Sequence, residues 1–360
     1  MILPFLAGVK YKGKIYFSMR NGNGLFSYDP VTDTTSFLKV FPKEKICDFL
    51  HLEAFLYNNE MWLVPLEGDY ITCVNLDTLE MQDFFARNSG NNHNKHLFYS
   101  LVRKDDLAIF LPNQTDTIVK VNLKTKECEY VYSANYFKSV WAIGGFLNEN
   151  TLNVVRNDGK VGLRINVENN NVIFEDRVSK DSLYHYFVFD KNDCWMIPRS
   201  GDITHGKINN EGEIDVDEMI VHTDGGGYYR GLKNESKIVF YPYEGNQRFA
   251  IYNANTGITQ YEDKILEKYK PNGIWFEINT IDSDEGCWAS ATNGAIIDFS
   301  DLNSIRTYCA AIDDKSARDV FREYRKNEMI DGFLDNSIVT ESKSIISLEM
   351  FISFITGKGI

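Results

Sequence analysis

Trp62 to Glu80 reads "WLVPLEGDYITCVNLDTLE", and Trp195 to Glu213 reads "WMIPRSGDITHGKINNEGE". In both, an apolar run closes on Pro, Gly-Asp follows, a second alternating run begins, and Asn opens a polar turn. Short apolar or alternating runs bounded by Gly, Asn and Asp are how strands and their turns look in a sequence. Working outward from these two stretches, the same phrase is found along most of the chain. Gly13, Asn59, Asp105, Asn150, Asn192, Ser236 and Glu285 form one column, with spacings of 46, 46, 45, 42, 44 and 49. Tyr28, Val74, Val121, Ile165, Ile208, Tyr252 and Asp298 form a second, with spacings of 46, 47, 44, 43, 44 and 46. Two independent columns keep one period through seven copies, so the phrase is a structural repeat.

Each copy reads as four short strands. In copy two they are expected over residues 51–57, 61–65, 70–75 and 81–85. A glycine follows the second strand at Gly22, Gly68, Gly159, Gly201, Gly245 and Gly294; a turn that needs positive φ accounts for it. Four strands in a period of about 40–50 residues are the mark of a propeller blade. The expected fold is all-β: a seven-bladed β-propeller over residues 1–310, with blade boundaries near 45, 92, 136, 180, 224 and 270. "IYFSMRNGNGLFSYDPVTD" (Ile15 to Asp33) resembles a kelch blade in its strand, turn, strand and Tyr-Asp-Pro order. The resemblance to kelch-like and related seven-bladed propellers implies the architecture; propellers host enzymes, sugar binders and scaffolds alike, so it implies no activity.

After Ala310 the period stops. In "KSARDVFREYRKNEMI", Ala317, Val320, Phe321 and Tyr324 fall at helical spacing with charges on the opposite face. "SLEMFISFITG" has a second stripe, Leu348, Phe351, Ile352 and Ile355, with Ser347 as cap and Gly357 as stop. Residues 311–360 therefore read as a helical extension, packed on the propeller or used as a partner contact.

The charge of −13 disfavours nucleic acid and anionic membrane surfaces as partners. No run is long and apolar enough to span a membrane, and the apolar start "MILPFLAGV" lacks the basic leader and cleavage site of a signal peptide. Cys47, Cys73, Cys128, Cys194, Cys287 and Cys309 are scattered without a C-x-x-C pair, which suits reduced thiols and a cytoplasmic location. Sequences for a P-loop, a nucleophile elbow or a zinc helix are absent. No cofactor and no metal are expected. "DSDEG" (Asp282 to Gly286) has its Gly too early for a calcium loop and reads as a strand turn. "HTDGGGYYR" (His222 to Arg230) leads into a strand instead of a helix. His93 and His96 lie in a polar linker.

The first strand of each copy is expected to line a central channel, with alternate residues inward. One aligned layer is Ala7, Glu53, Tyr99, Gly144, Tyr186, Arg230 and Asn279; two residues earlier stand Phe5, His51, Leu97, Ala142, Tyr184, Tyr228 and Glu277. The columns beside them are mostly apolar. Glu53, Tyr99, Tyr184, Tyr186, Tyr228, Arg230 and Asn279 are therefore the expected ligand-binding set: aromatic faces for C–H patches, charged and amide groups for hydroxyls. The expected role is binding, of a polar or saccharide-like small molecule or glycan, or of a protein partner across the propeller face. Two alternatives stand beside it. One is a lyase or hydrolase in which His51, Glu53 and Glu277 supply acid and base and Arg230 steadies an anion. The other is a pure interaction scaffold.

Overall fold

The computed structural model describes residues 1–86, 97–113, 117–133, 142–176, 184–198, 200–209, 211–221, 227–243, 248–262, 278–291, 293–327 and 353. Every copy folds as four antiparallel strands in sequence order. Copy two forms them at His51–Tyr57, Glu60–Pro65, Tyr70–Asn75 and Met81–Ala86, within a residue of the expected bounds. Each of the six expected boundaries lies in sequence between the last described strand of one copy and the first described strand of the next. The fold is of the β-propeller type, with four-stranded blades and a small C-terminal helix. The sheet count departs from expectation. Five sheets have four strands, but copies seven and one share one eight-stranded sheet. Their first strands, Ile278–Ser283 and Phe5–Tyr11, pair in parallel through Gly8–Ile281, Val9–Asp282 and Lys10–Ser283. The chain divides into two compact units: Met1–Asn94 with Phe276–Ile360, and Lys95–Trp275.

The turns show why the phrase repeats. At the end of every third strand an Asn or Asp side chain accepts a backbone N–H two residues on: Asp29, Asn75, Asn122, Asn166, Asn209, Asn253 and Asp298. These Asx turns are what the recurrent Asn encodes. The hairpin between the first two strands holds a non-glycine in the left-handed region at Lys12, Asn58, Asp105, Glu149, Lys191 and Glu235. The recurrent glycine has φ between +80° and +127° at Gly22, Gly159, Gly201 and Gly294, as a positive-φ turn requires. Gly68 is different. A Cβ there would lie 2.9 Å from Glu44 Oε1 and 3.0 Å from Leu50 O, so close approach selects its glycine. Gly245 lies outside the described residues.

Within each unit, neighbouring sheets bury their faces against each other. Val9 and Leu25 of copy one meet Ala54, Leu63 and Val74 of copy two. Copies three and four join through Val102, Ile109, Leu152 and Leu163. Copies five and six join through Val188, Ile197, Ile238 and Phe240. Helix α1, Asp314–Lys326, adds Ala317, Val320 and Tyr324 to the core built on Phe17, Phe26, Trp288 and Ile296, with Phe321 packed at its edge. Asp313 caps it, its Oδ1 accepting the Ser316 N–H at 2.7 Å, a contact that holds this carboxyl below the usual range. The Tyr324 hydroxyl accepts the Asn23 N–H at 2.5 Å. Of the second expected helix only Ser353 is described, as helical.

Candidate functional site

Strict alternation along the first strands does not hold, because most of them are bulged. In copy two, His51 pairs with Pro65 and Glu53 with Val64, so Leu52 is an extra residue. Tyr99, Ile143, His185 and Tyr229 are the extra residues of copies three to six. Copy one shifts between Phe5 and Gly8. A bulge places two residues opposite one and cancels the two-residue period. The residue before it therefore parts from the residue after it. Phe5, His51, Ala142 and Tyr228 are at most 3% exposed and lie among core side chains. Tyr228 sits against Phe240 at 6.2 Å and Tyr184 against Phe187 at 5.4 Å. The two adjoining inward layers expected from the sequence are thus one layer and one row of packing residues.

At and just after the bulges a site gathers within the Lys95–Trp275 unit. The Arg230 side chain is 2% exposed. Its guanidinium carbon lies 4.7 Å from the Tyr186 ring centre, 5.7 Å from that of Tyr99 and 5.7 Å from that of Tyr229. Three ring faces around one guanidinium favour the cation by their quadrupoles. The Tyr99 hydroxyl donates to that of Tyr229 at 3.3 Å. Tyr229 stacks on Tyr243 at 5.3 Å, and the His185 ring meets Tyr243 edge-on at 4.9 Å. Tyr99, Tyr186, Tyr243 and His185 are all half-buried. Chemically the cluster offers flat aromatic faces, phenolic donors and acceptors, an imidazole and a fixed positive charge.

Of the expected residues, the structure brings Tyr99, Tyr186 and Arg230 together. Tyr229, His185 and Tyr243 were missed. The bulge brings the first two onto the layer, and the sequence does carry a sign of it. Pro65, Pro112, Pro198 and Pro242 each pair with the residue just before the bulge. Proline lacks an N–H for the ladder and is tolerated inside sheets chiefly at bulges and edges.

The remaining candidates lie in the other unit. His51 is sealed in the core, its Nδ1 2.8 Å from Ser18 Oγ and its ring edge-on to Phe41 at 5.0 Å. Burial pushes its imidazole down to about 3, so it stays neutral at ordinary pH. Such a group packs well and exchanges protons poorly. Asn279 Nδ2 donates to Leu52 O at 2.6 Å, and its Oδ1 accepts the Thr280 N–H at 2.9 Å. Asn279 thereby ties the bulge of copy two to copy seven. Nearby, Asp282 Oδ2 accepts the Leu56 N–H at 2.8 Å. Glu53 is half-buried on the strand after Leu52. Glu277, His93, His96 and residues 222–226 lie outside the described residues. The turn read over Asp282–Gly286 comprises residues 284–286, while Asp282 and Ser283 end the first strand of copy seven. Among the described residues no cluster has the make-up of a metal site.

No protein-family model and no curated protein matches the chain. Solved structures do. The extracellular domain of a hybrid two-component system from B. thetaiotaomicron is similar with TM-score 0.53 and 12% identity, over 81% of this chain and 37% of that one. PorZ, a surface component of the type-IX secretion system of Porphyromonas gingivalis, is similar with TM-score 0.57 and 9% identity, over 87% of this chain and 39% of that one. The chain thus spans under two-fifths of either. At such identities the likeness concerns the fold alone, and it supports the β-propeller type.

Proposed function

We propose that this chain is a binding module whose site is the Arg230 cluster, taking a polar, saccharide-like small molecule. The observation that carries the reading is a buried guanidinium faced by three tyrosine rings at 4.7–5.7 Å. Half-buried phenols line its edge. Aromatic faces cover the C–H patches of a sugar ring, while hydroxyl and guanidinium groups bond its oxygens. Tyr229, Tyr243 and His185 extend the platform. The enzyme alternative has less support, because His51 is neutral and enclosed. Three cysteines are buried and three half-buried, none of them in a disulfide; a cytoplasmic setting belongs to the proposal.

The proposal includes a blade count. The eight-stranded sheet is taken as two blades joined along their inner strands, so that seven copies make seven blades of kelch-like strand order. The four antiparallel strands of each copy support this, as does the confinement of the extra pairing to one parallel contact.

A thermal-shift panel of neutral and acidic mono- and oligosaccharides and common polar metabolites tests the function. At least one compound is expected to raise Tm for the wild type and to lose that effect in Tyr186→Ala and Arg230→Lys. A panel without effect, or with effects unchanged in both variants, would overturn the reading.

A further inference from the structure

Glu44 stands between copies one and two, in the segment that leads to the first strand of copy two, and is 4% exposed. Its carboxylate grips the Gly68–Tyr70 turn: Oε2 accepts the Asp69 N–H at 2.8 Å, and Oε1 accepts Tyr70 N–H at 2.8 Å and Asp69 N–H at 3.0 Å. Its backbone carbonyl accepts Asn23 Nδ2 at 2.8 Å. Asn23 in turn donates its own N–H to Tyr324 of helix α1. The same turn bonds back to the approach of the first strand, Leu66 and Gly68 N–H to Leu50 O at 3.1 Å each. Gly68 leaves the carboxylate its room, since a Cβ would sit 2.9 Å from Oε1.

We propose that Glu44 is a proton-operated latch, which holds the Asp69–Tyr70 turn of copy two tightly when ionised and loosely when protonated. Protonation adds a donor to one oxygen and removes the negative charge, so the N–H bonds from Asp69 and Tyr70 lose their charge assistance and weaken. The weakened bonds lie beside Leu50, at the foot of the strand that carries His51 and Glu53.

The charges around the carboxyl come from each neighbouring element. Asp69 lies on the turn, and Asp83 on the fourth strand of copy two, where it is paired with Lys43 at 3.4 Å. Cys47 follows on its own segment and interacts with it; Asp48 and Glu67 act in turn on Cys47, as Cys47 does on the Tyr324 phenol of α1. Burial pushes the carboxyl up to about 7; the two backbone bonds pull it down, and Asp69 and Asp83 push it further up. A raised carboxyl means that the native state binds the proton that the unfolded chain has released. Its stabilising share is full below about pH 4.5 and is lost as pH rises through about 7. The latch therefore works across neutral pH.

The test is a pH titration of backbone amides by TROSY NMR on the full chain, from pH 5.5 to 8.5. The Asp69 and Tyr70 amide resonances are expected to move together with one inflection between pH 6 and 8. Glu44→Gln, whose amide oxygen can still accept both N–H groups, is expected to abolish that inflection. Asp83→Asn removes a like charge and is expected to lower the midpoint. Amides without inflection in that window, or an inflection that persists in Glu44→Gln, would overturn the proposal. Should Glu44→Gln fail to fold, the wild-type and Asp83→Asn titrations decide it alone.

Discussion

Removing one oxygen atom, in Tyr324→Phe, tests how the C-terminal helix is held. The ring is 1% exposed in the core shared by copies one and seven, and Phe fills nearly the same volume. What is lost is the acceptor of the Asn23 N–H at 2.5 Å, together with a donor to Met19 Sδ at 3.7 Å. Taking one partner from a buried hydrogen bond costs about 1–3 kcal/mol, because the other partner has already left water. Burial pushes the phenol well above its ordinary value, so it is neutral and the cost is that of a neutral bond. For a compact unit of this size about 1–3 kcal/mol lowers Tm by roughly 2–12 °C. The assay is urea denaturation with hydrogen exchange on the same samples. Lost protection is expected first in Asp314–Lys326 and around Asn23. A cost below about 0.5 kcal/mol, or protection lost elsewhere, would refute the claim that this bond anchors the helix.

Gly22→Ala is expected to be at least as harmful: φ is +127°, and a Cβ would lie 2.8 Å from the Tyr324 hydroxyl. A melting temperature within a degree or so of wild type would contradict it. His51 contributes to acid sensitivity. Its imidazole is pushed from 6.5 to about 3 by burial, so its share of stability is present above pH 6.5 and lost as pH falls toward 3. Glu44 acts in the opposite sense over part of that range, so His51→Asn, compared with wild type between pH 7 and 4, isolates the effect; the variant is expected to lose less stability on acidification, and an unchanged pH slope would count against the assignment. Cys194 and Cys287 are 0% and 5% exposed. Burial pushes Cys287 up to about 12 and Cys194 well above its ordinary value. Both should resist thiol reagents until the protein unfolds, and rapid native-state labelling would show otherwise.

The strands were legible because their turns are written in side-chain chemistry. An Asx turn after every third strand leaves a visible Asn or Asp, and a positive-φ turn leaves a visible glycine. The helix was legible for the same kind of reason, since Ala317, Val320 and Tyr324 share one face and all are buried. Bulges are less visible. Each adds one residue to a strand without a composition of its own, yet it exchanges the two faces of everything before it. Alternation therefore misplaced His51, Tyr184 and Tyr228, and left Tyr229 and His185 in a column that is mostly apolar. The four prolines opposite the bulges were in plain sight; what they meant depended on knowing which residue they faced. The parallel pairing of copies one and seven joins residues some 270 positions apart, and no local pattern announces it. Asn279 looked like a ligand group for a related reason: a side chain that bonds a distant backbone carbonyl has the same composition as one that bonds a ligand.

The central claim is that the Arg230 cluster is where this protein binds. Its most direct test is a crystal structure of the protein with the compound that stabilises it most in the thermal-shift panel. Difference density is expected within about 4 Å of the Tyr99 and Tyr186 rings, with oxygen atoms directed at phenol or guanidinium groups. Density seated on other residues, with the Arg230 cluster unaltered from the free protein, would contradict it.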